Sequence, residues 1–402
     1  MNGDVSLDLR TGLDAARFGV YVHFPYCLSK CPYCDFASIA AKVIPQERYT
    51  LAIEAELALR ARTEDLRARE VESIFIGGGT PSLWSPPLVA RVLEGLRRTL
   101  RLADGCEVTL EANPGASDAA RFAAYRAAGV NRLSMGVQSF APEILAALGR
   151  AHDGPTAVNA FAAARAAGFD NVSMDFIYGV QGQKLAQVEA DARAAIALGP
   201  EHLSAYALTL DRESLAEEVP LAKALRRGEV KLPPDELVVQ MQRAVAAVYA
   251  EAGLQRYEIS NYAKPGRHSR HNSLYWTQGD YLALGVGATG TLPATGGARY
   301  RYANQRSAEA YLREVEAGAL PEASREQLSS LELFEERIAM GLRLVNGVDF
   351  EAVCADFGQP AEARALTLRH LSSAGLAERA GGRLRLTQAG LDLHSAIAAR
   401  LM

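Results

Sequence analysis

The sequence predicts an α/β fold in two parts, a partial (β/α)6 TIM-like barrel followed by a C-terminal winged-helix-like helical domain. Three observations carry that prediction. Short β-branched runs alternate with longer Ala- and Leu-rich stretches of helical spacing as far as Ala252. A loop bearing Cys27, Cys31 and Cys34 follows the first of these runs directly. From Pro321 the pattern turns helical, apart from a short hairpin marked by Gly381-Gly382.

The strand candidates are 19–24 (GVYVHF), 72–76 (ESIFI), 107–111 (EVTLE), 132–137 (RLSMGV), 171–178 (NVSMDFIY) and 202–208 (HLSAYAL). Helix candidates at 46–62, 86–101, 118–128, 155–167 and 185–197 lie between them, each closed by Gly or a polar turn. Pro86, Pro142 and Pro155 stand at or near helix starts, where a missing N–H costs nothing. Six such units build a parallel sheet that stays open as a barrel, with ligands at the C-terminal ends of its strands. A further helix is predicted at 234–252. The domain reading is a tail over 1–16, the barrel over 17–253, an aromatic and Gly-rich connecting segment over 254–320, and the winged-helix-like unit over 321–402. In that last unit, helices at 331–344, 350–357 and 361–374 precede the hairpin and a final helix.

The chain has 402 residues, of which 43 are basic, 47 acidic and 49% hydrophobic, so it can bury more than one core. A formal charge of −4 gives no basic field for a phosphate backbone, and no nucleic-acid partner is expected. No apolar run reaches the roughly 18 residues of a membrane span, and the mixed, acidic start is unlike a signal peptide. Three of the 5 cysteines crowd into one loop, which is no disulfide framework; the expectation is a cytoplasmic protein whose thiolates are ligands. Cys106 and Cys354 read as buried small hydrophobes.

Three thiolates are one too few for a structural zinc site, which would need a histidine such as His23 or His268. A 4Fe-4S cubane on three cysteines instead leaves one iron open to an outside chelator. The spacing favours the cluster and leaves zinc as the alternative. Gly77-Gly78-Gly79-Thr80-Pro81 ends the second strand. Alone, a glycine triplet is a turn; beside the cysteine loop it lets backbone polar groups approach a ligand.

CxxxCxxC with Tyr33 before its third cysteine resembles the radical S-adenosylmethionine superfamily. The segments YVHFPYC, GGGTPS, LEANP, RLSMGVQSF, LGRAH, MDFIYG and YEISNYA are similar, in order, to those of the oxygen-independent coproporphyrinogen III oxidase family. The resemblance implies a barrel of the radical S-adenosylmethionine type with a 4Fe-4S cluster on Cys27, Cys31 and Cys34. It also implies an S-adenosylmethionine site. Tyr21 and Tyr33 would lie near the cluster, Gly78, Gly79 and Thr80 at the methionine end, Glu111, Gln138, Arg150 and Asp175 as polar contacts, and Ala207 beside the adenine. Taken singly, each polar residue among them reads as a strand-end group in a routine hydrogen bond. The loop Gly179-Val-Gln181-Gly-Gln183-Lys184 departs from the family's GLPGQT, and lacking its proline changes loop stiffness more than chemistry.

Two features separate this chain from the oxidases. Phe36 occupies the position of their additional cysteine, and only 26 residues precede Cys27, where oxidases carry a longer region. His271-Asn272-Ser273-Leu274-Tyr275-Trp276 (HNxxYW) resembles instead the heme chaperone branch of the family, whose members bind heme and hand it to acceptor proteins. The implied function is a heme chaperone carrying a 4Fe-4S cluster, S-adenosylmethionine and heme. Its implied partners are heme-acceptor proteins, respiratory cytochromes among the candidates, and an electron donor protein. The alternative is oxidative decarboxylation of coproporphyrinogen III. A nucleic-acid-directed radical enzyme is the weakest class, because the basic residues of the tail have no aromatics beside them. The imidazole of His271 can ligate iron, Asn272 can orient it, and Tyr275 and Trp276 offer flat faces to a macrocycle. The plain reading of the same motif is packing onto the barrel mouth, with Trp276 as core and His271 hydrogen-bonded. The chemistry implied is electron transfer from the reduced cluster into the sulfonium of S-adenosylmethionine.

Overall fold

The computed structural model describes residues 18–115, 119–210, 219–294 and 298–402, so the tail read over 1–16 lies outside the described residues. Six strands, Phe18–Phe24, Glu70–Gly78, Arg101–Ala112, Arg132–Gln138, Val172–Tyr178 and His202–Ala207, lie side by side in chain order and all parallel. They are called the first to sixth strands below. Helices Gln46–Thr63, Pro86–Thr99, Ala119–Ala128, Gly154–Ala166 and Leu185–Leu198 connect them. Pro86 opens its helix, the Asp153 side chain accepts from the Thr156 N–H, and Gly199 closes its helix in the left-handed region at φ 75°. On the first strand Val20, Val22 and Phe24 are wholly covered, as expected of a strand walled by helices.

Residues 255–328 extend this sheet at both edges rather than merely joining two units. Gln255–Arg256 and Asn261–Ala263 add antiparallel to the sixth strand. Asp280–Leu284 pairs parallel with the first strand on its free side, and Thr289–Pro293, Arg299–Asn304 and Glu322–Leu328 follow antiparallel outward. The described residues thereby form a sheet of 12 strands. Its aromatic and glycine content has a packing cause. Gly290 faces Tyr302 across the ladder, and a Cβ there would come within 2.5 Å of the ring. The buried carboxylate of Glu56 accepts hydrogen bonds from Arg60, Asn304, the Gly285 N–H and Tyr311, locking the first helix to these added strands.

A second core of Phe334, Ile338, Phe350, Leu384 and Leu401 holds the C-terminal unit together. It contains helices Ser330–Gly341, Phe350–Asp356, Ala365–Ser373, Gln388–Asp392 and His394–Leu401 and a small sheet made from Val348–Asp349 with the hairpin Ala377–Ala380 and Arg383–Leu386. This is the winged-helix-like unit. Its first helix starts on a reciprocal pair of hydrogen bonds between Ser329 and Glu332. It stops at Gly341, short of the predicted 344, where the absent Cβ makes room for Val348. Among the described residues no helix is long and apolar enough to cross a membrane.

Candidate functional site

The first strand delivers the cysteine loop at the C-terminal ends of the barrel strands. A short ladder between Tyr26–Cys27 and Ile39–Ala40 closes that loop at its base. The glycine turn after the second strand clamps it: the Gly79 N–H bonds Phe24 O at 2.7 Å and the Thr80 N–H bonds Tyr26 O at 2.9 Å. A Cβ on Gly79 would sit 2.8 Å from the Pro25 and Tyr26 backbone, so only glycine allows this approach. Cys27 is buried, while Cys31 and Cys34 are half-buried. Thr80 Oγ1 donates to Cys27 Sγ and Arg150 Nη1 to Cys31 Sγ, both at 3.4 Å. Cys34 Sγ lies 3.7 Å from Ser38 Oγ.

These cysteines line one end of a cavity of about 490 Å³ that extends into the barrel. Tyr21, Tyr33, Gly78, Gly79, Thr80, Glu111, Gln138, Arg150 and Asp175 also line it, as do His271, Asn272 and Tyr275. Ala207, the last residue of the sixth strand, and Trp276 are not among the lining side chains. Arg150 Nη2 is fixed by Asn113 Oδ1 at 2.7 Å and Gly136 O at 2.9 Å. Gln138 is held in the left-handed region at φ 67°, strained backbone of the kind found at functional sites. The Gly78 N–H, at a φ of 117°, donates to Glu111 Oε2 at 2.9 Å. Burial pushes the Glu111 carboxyl up to about 8, the Gly78 hydrogen bond opposes this, and the Asp175 charge adds to it. Burial likewise raises Asp175, against hydroxyl donors that include Ser134 at 2.9 Å.

The HNxxYW motif forms the helix Arg270–Trp276, placed at the N-terminal ends of the strands. The packing reading had set it on the barrel mouth, whereas it closes the opposite end. Ser269 caps it by accepting from the Asn272 N–H at 3.2 Å, and Glu107, level with Ser73 of the second strand, accepts from the N–H groups of Arg270 and His271, each at 3.2 Å. His271 is 1% exposed, with Nδ1 3.0 Å from Ser73 Oγ and Nε2 2.8 Å from Tyr275 Oη. Burial pushes its imidazole down to about 3, with the Arg132 charge adding. Trp276 turns the other way, lying under the Arg343 guanidinium of the C-terminal unit at 4.3 Å.

Sequence reasoning passed over Arg132, Ser134, His202, Ser204 and Tyr206, all of which line the cavity. Their signal is the alternation along the fourth and sixth strands. Arg132, Ser134, Gly136 and Gln138 face inward while Leu133, Met135 and Val137 are buried on the other face, and His202, Ser204 and Tyr206 repeat the pattern.

The donor set fits an iron–sulfur cluster. Three sulfurs converge on one cavity end, each beside a hydroxyl or guanidinium that can hydrogen-bond it. The histidines that would complete a zinc site are engaged elsewhere: His23 between Tyr21 Oη at 2.9 Å and Ala37 O at 3.1 Å, and His268 stacked on Tyr257 at 4.3 Å. Among the described residues no group of three or more His, Cys, Asp or Glu side chains is placed to hold one metal ion. Ligands of a single zinc must converge to about 2.3 Å of one point, whereas cubane ligands sit at separate corners.

Family models agree with this architecture: that of the Radical SAM superfamily matches residues 21–195 and that of the HemN C-terminal domain matches residues 328–393. Heme chaperone HemW of Mycobacterium tuberculosis is 36% identical over 388 residues, covering 96% of this chain and 95% of that one. The chain belongs to the HemW family. The Escherichia coli HemW is 42% identical over 272 residues, 67% of this chain and 69% of its own. Radical S-adenosyl methionine domain-containing protein 1, mitochondrial, of Bos taurus is 38% identical over 337 residues, 83% and 74% of the two chains. Coproporphyrinogen III oxidase (HemN) from Escherichia coli superposes with a TM-score of 0.79 at 23% identity, covering 96% of this chain and 90% of the other. The HemW-family chain therefore shares the radical SAM barrel and the C-terminal unit of the oxidase fold.

Proposed function

We propose that this HemW-family chain binds heme at the closed end of its barrel cavity and hands it to acceptor proteins in the cytoplasm. At the open end Cys27, Cys31 and Cys34 would hold a 4Fe-4S cluster beside S-adenosylmethionine. The observation that supports this reading is that one cavity is lined by both sets of residues.

When bound, the cluster supplies a single electron and one iron open to a chelating ligand. The chain's own residues do the rest. Thr80 and Arg150 donate to sulfur and offset thiolate charge, and Arg150 is held in place by Asn113. Glu111, kept protonated near neutral pH by burial, gives up its proton when a ligand cation approaches. His271 stays neutral at any physiological pH, the form in which imidazole binds iron. Its Nδ1 is tied to Ser73, so Nε2 is the nitrogen that would meet iron, once Tyr275 Oη yields its hydrogen bond.

Adding heme to the anaerobically reconstituted protein and recording spectra tests the reading. Wild type should develop a Soret band with stoichiometric uptake, and His271→Ala should lose it while keeping the cluster spectrum. Cys27→Ala, Cys31→Ala or Cys34→Ala should abolish the cluster, with Cys106→Ala and Cys354→Ala leaving it intact. Repeated turnover of coproporphyrinogen III by the same sample would overturn the chaperone reading in favour of the oxidase.

A further inference from the structure

The closed half of the cavity contains a cation with no counter-charge in contact among the described residues. Arg132 begins the fourth strand, is 1% exposed and lines the cavity, yet its Nε has no hydrogen-bond partner among the described residues. Thr109, its partner across the ladder from the third strand, is wholly buried, and its hydroxyl is also unpartnered. The two residues lie at one level of the barrel on neighbouring strands, and of them Arg132 lines the cavity. The carboxylate whose charge Arg132 feels, that of Asp175, is taken up by hydroxyls, Ser134 Oγ at 2.9 Å and Ser173 Oγ at 3.4 Å. Its other charged or titratable neighbours, His202, His271 and Tyr257, are held neutral by burial. A guanidinium cannot shed its proton, so a buried one needs an anion.

We propose that Arg132 is a carboxylate-binding subsite at the closed end of the cavity, which on the heme reading above takes a propionate of heme. The fork of a guanidinium matches the two oxygens of a carboxylate. A methionine carboxylate held at the cluster end would lie toward the other end of the fourth strand from Arg132. Arg132 and Gln138 bound the fourth strand, whose 6 steps, irregular near Gln138, span at most roughly 20 Å of backbone. The subsite also lies on the side of His271, whose charge state Arg132 influences, and not on the side of the cysteines.

The test titrates the full-length wild type, Arg132→Met and Arg132→Lys with heme and with heme dimethyl ester, following the Soret band. S-adenosylmethionine is titrated in parallel by calorimetry, and far-UV dichroism reports the fold. Wild type should bind heme about 10- to 100-fold more tightly than the ester, the scale of a charge-assisted pair. Arg132→Met should lose that preference by weakening heme alone, and Arg132→Lys should keep part of it. If Arg132→Met does not fold, the acid-to-ester ratio in wild type and Arg132→Lys decides. Equal affinity of wild type for acid and ester overturns the subsite while leaving the heme reading intact. Weakened S-adenosylmethionine binding with unchanged heme binding reassigns the carboxylate to that ligand and overturns the propionate. Uptake of neither heme form by wild type removes the heme reading and the propionate with it.

Discussion

Glu111 shows how the barrel interior sets the chemistry of a single residue. Its carboxyl is held up at about 8 by burial, far above the value of about 4.3 it has in an unfolded chain. Between those two values the folded state carries a proton that the unfolded state has released, so stability falls as pH rises through that window. Ligand-free Glu111→Gln carries no such proton. It should therefore match wild type near pH 4 and become the more stable of the two by pH 8, by a few kcal/mol at most. Urea denaturation at the two pH values reads this directly, and parallel pH dependence of the two proteins would show that Glu111 is ionised throughout. The same residue was legible in the sequence only through LEANP and its family resemblance, because a lone glutamate at a strand end has no pattern of its own.

The helix Arg270–Trp276 owes its position to a carboxylate distant in sequence. Glu107 accepts two of its amide hydrogens, and a negative charge there suits the helix start. Glu107→Ala strands those amides and should cost about 1–3 kcal/mol. It should also reduce Soret uptake by loosening His271, with the cluster unaffected; Glu107→Gln, which keeps an acceptor, should fall between. Full heme uptake by Glu107→Ala would mean that the helix is fixed by its apolar contacts alone. At this scale the sequence was most readable where alternation and helical period run long. The first helix, predicted over 46–62, is observed as Gln46–Thr63, and the fifth strand, predicted over 171–178, as Val172–Tyr178. The strands after residue 254 escaped notice because glycine and tyrosine there serve cross-strand packing, as at Gly290 and Tyr302, in place of β-branched runs. The position of HNxxYW at the closed end was equally unreadable, since it depends on contacts with Gly19, Ser73 and Glu107 of three different strands.

Across the whole molecule, the C-terminal unit is fastened beside the segments that frame the closed end of the cavity. Arg343 Nη2 reaches Glu258 Oε2 at 3.0 Å, and its guanidinium covers Trp276. Gln278, just past the helix, donates to Leu333 O at 2.8 Å, and the Val345 N–H donates to Tyr257 O at 3.1 Å. Glu258 is wholly buried, and its other oxygen accepts from the Ser260 N–H and from Asn261 Nδ2, each at 2.7 Å. Arg343→Met would leave that carboxylate buried with neutral donors only. Breaking such a pair costs about 3–5 kcal/mol, and the partial exposure of Arg343 puts the expected loss at the low end. Hydrogen exchange should quicken over 257–278, and heme should dissociate faster, because His271 and Tyr275 share a helix with Trp276. The double variant Glu258→Gln with Arg343→Met removes both charges and should recover most of the stability. If it recovers stability without slowing heme loss, the coupling runs through the ring contact of Trp276 rather than through the buried charge. An Arg343→Met protein as stable as wild type would show that the apolar core of the C-terminal unit alone holds it against the barrel.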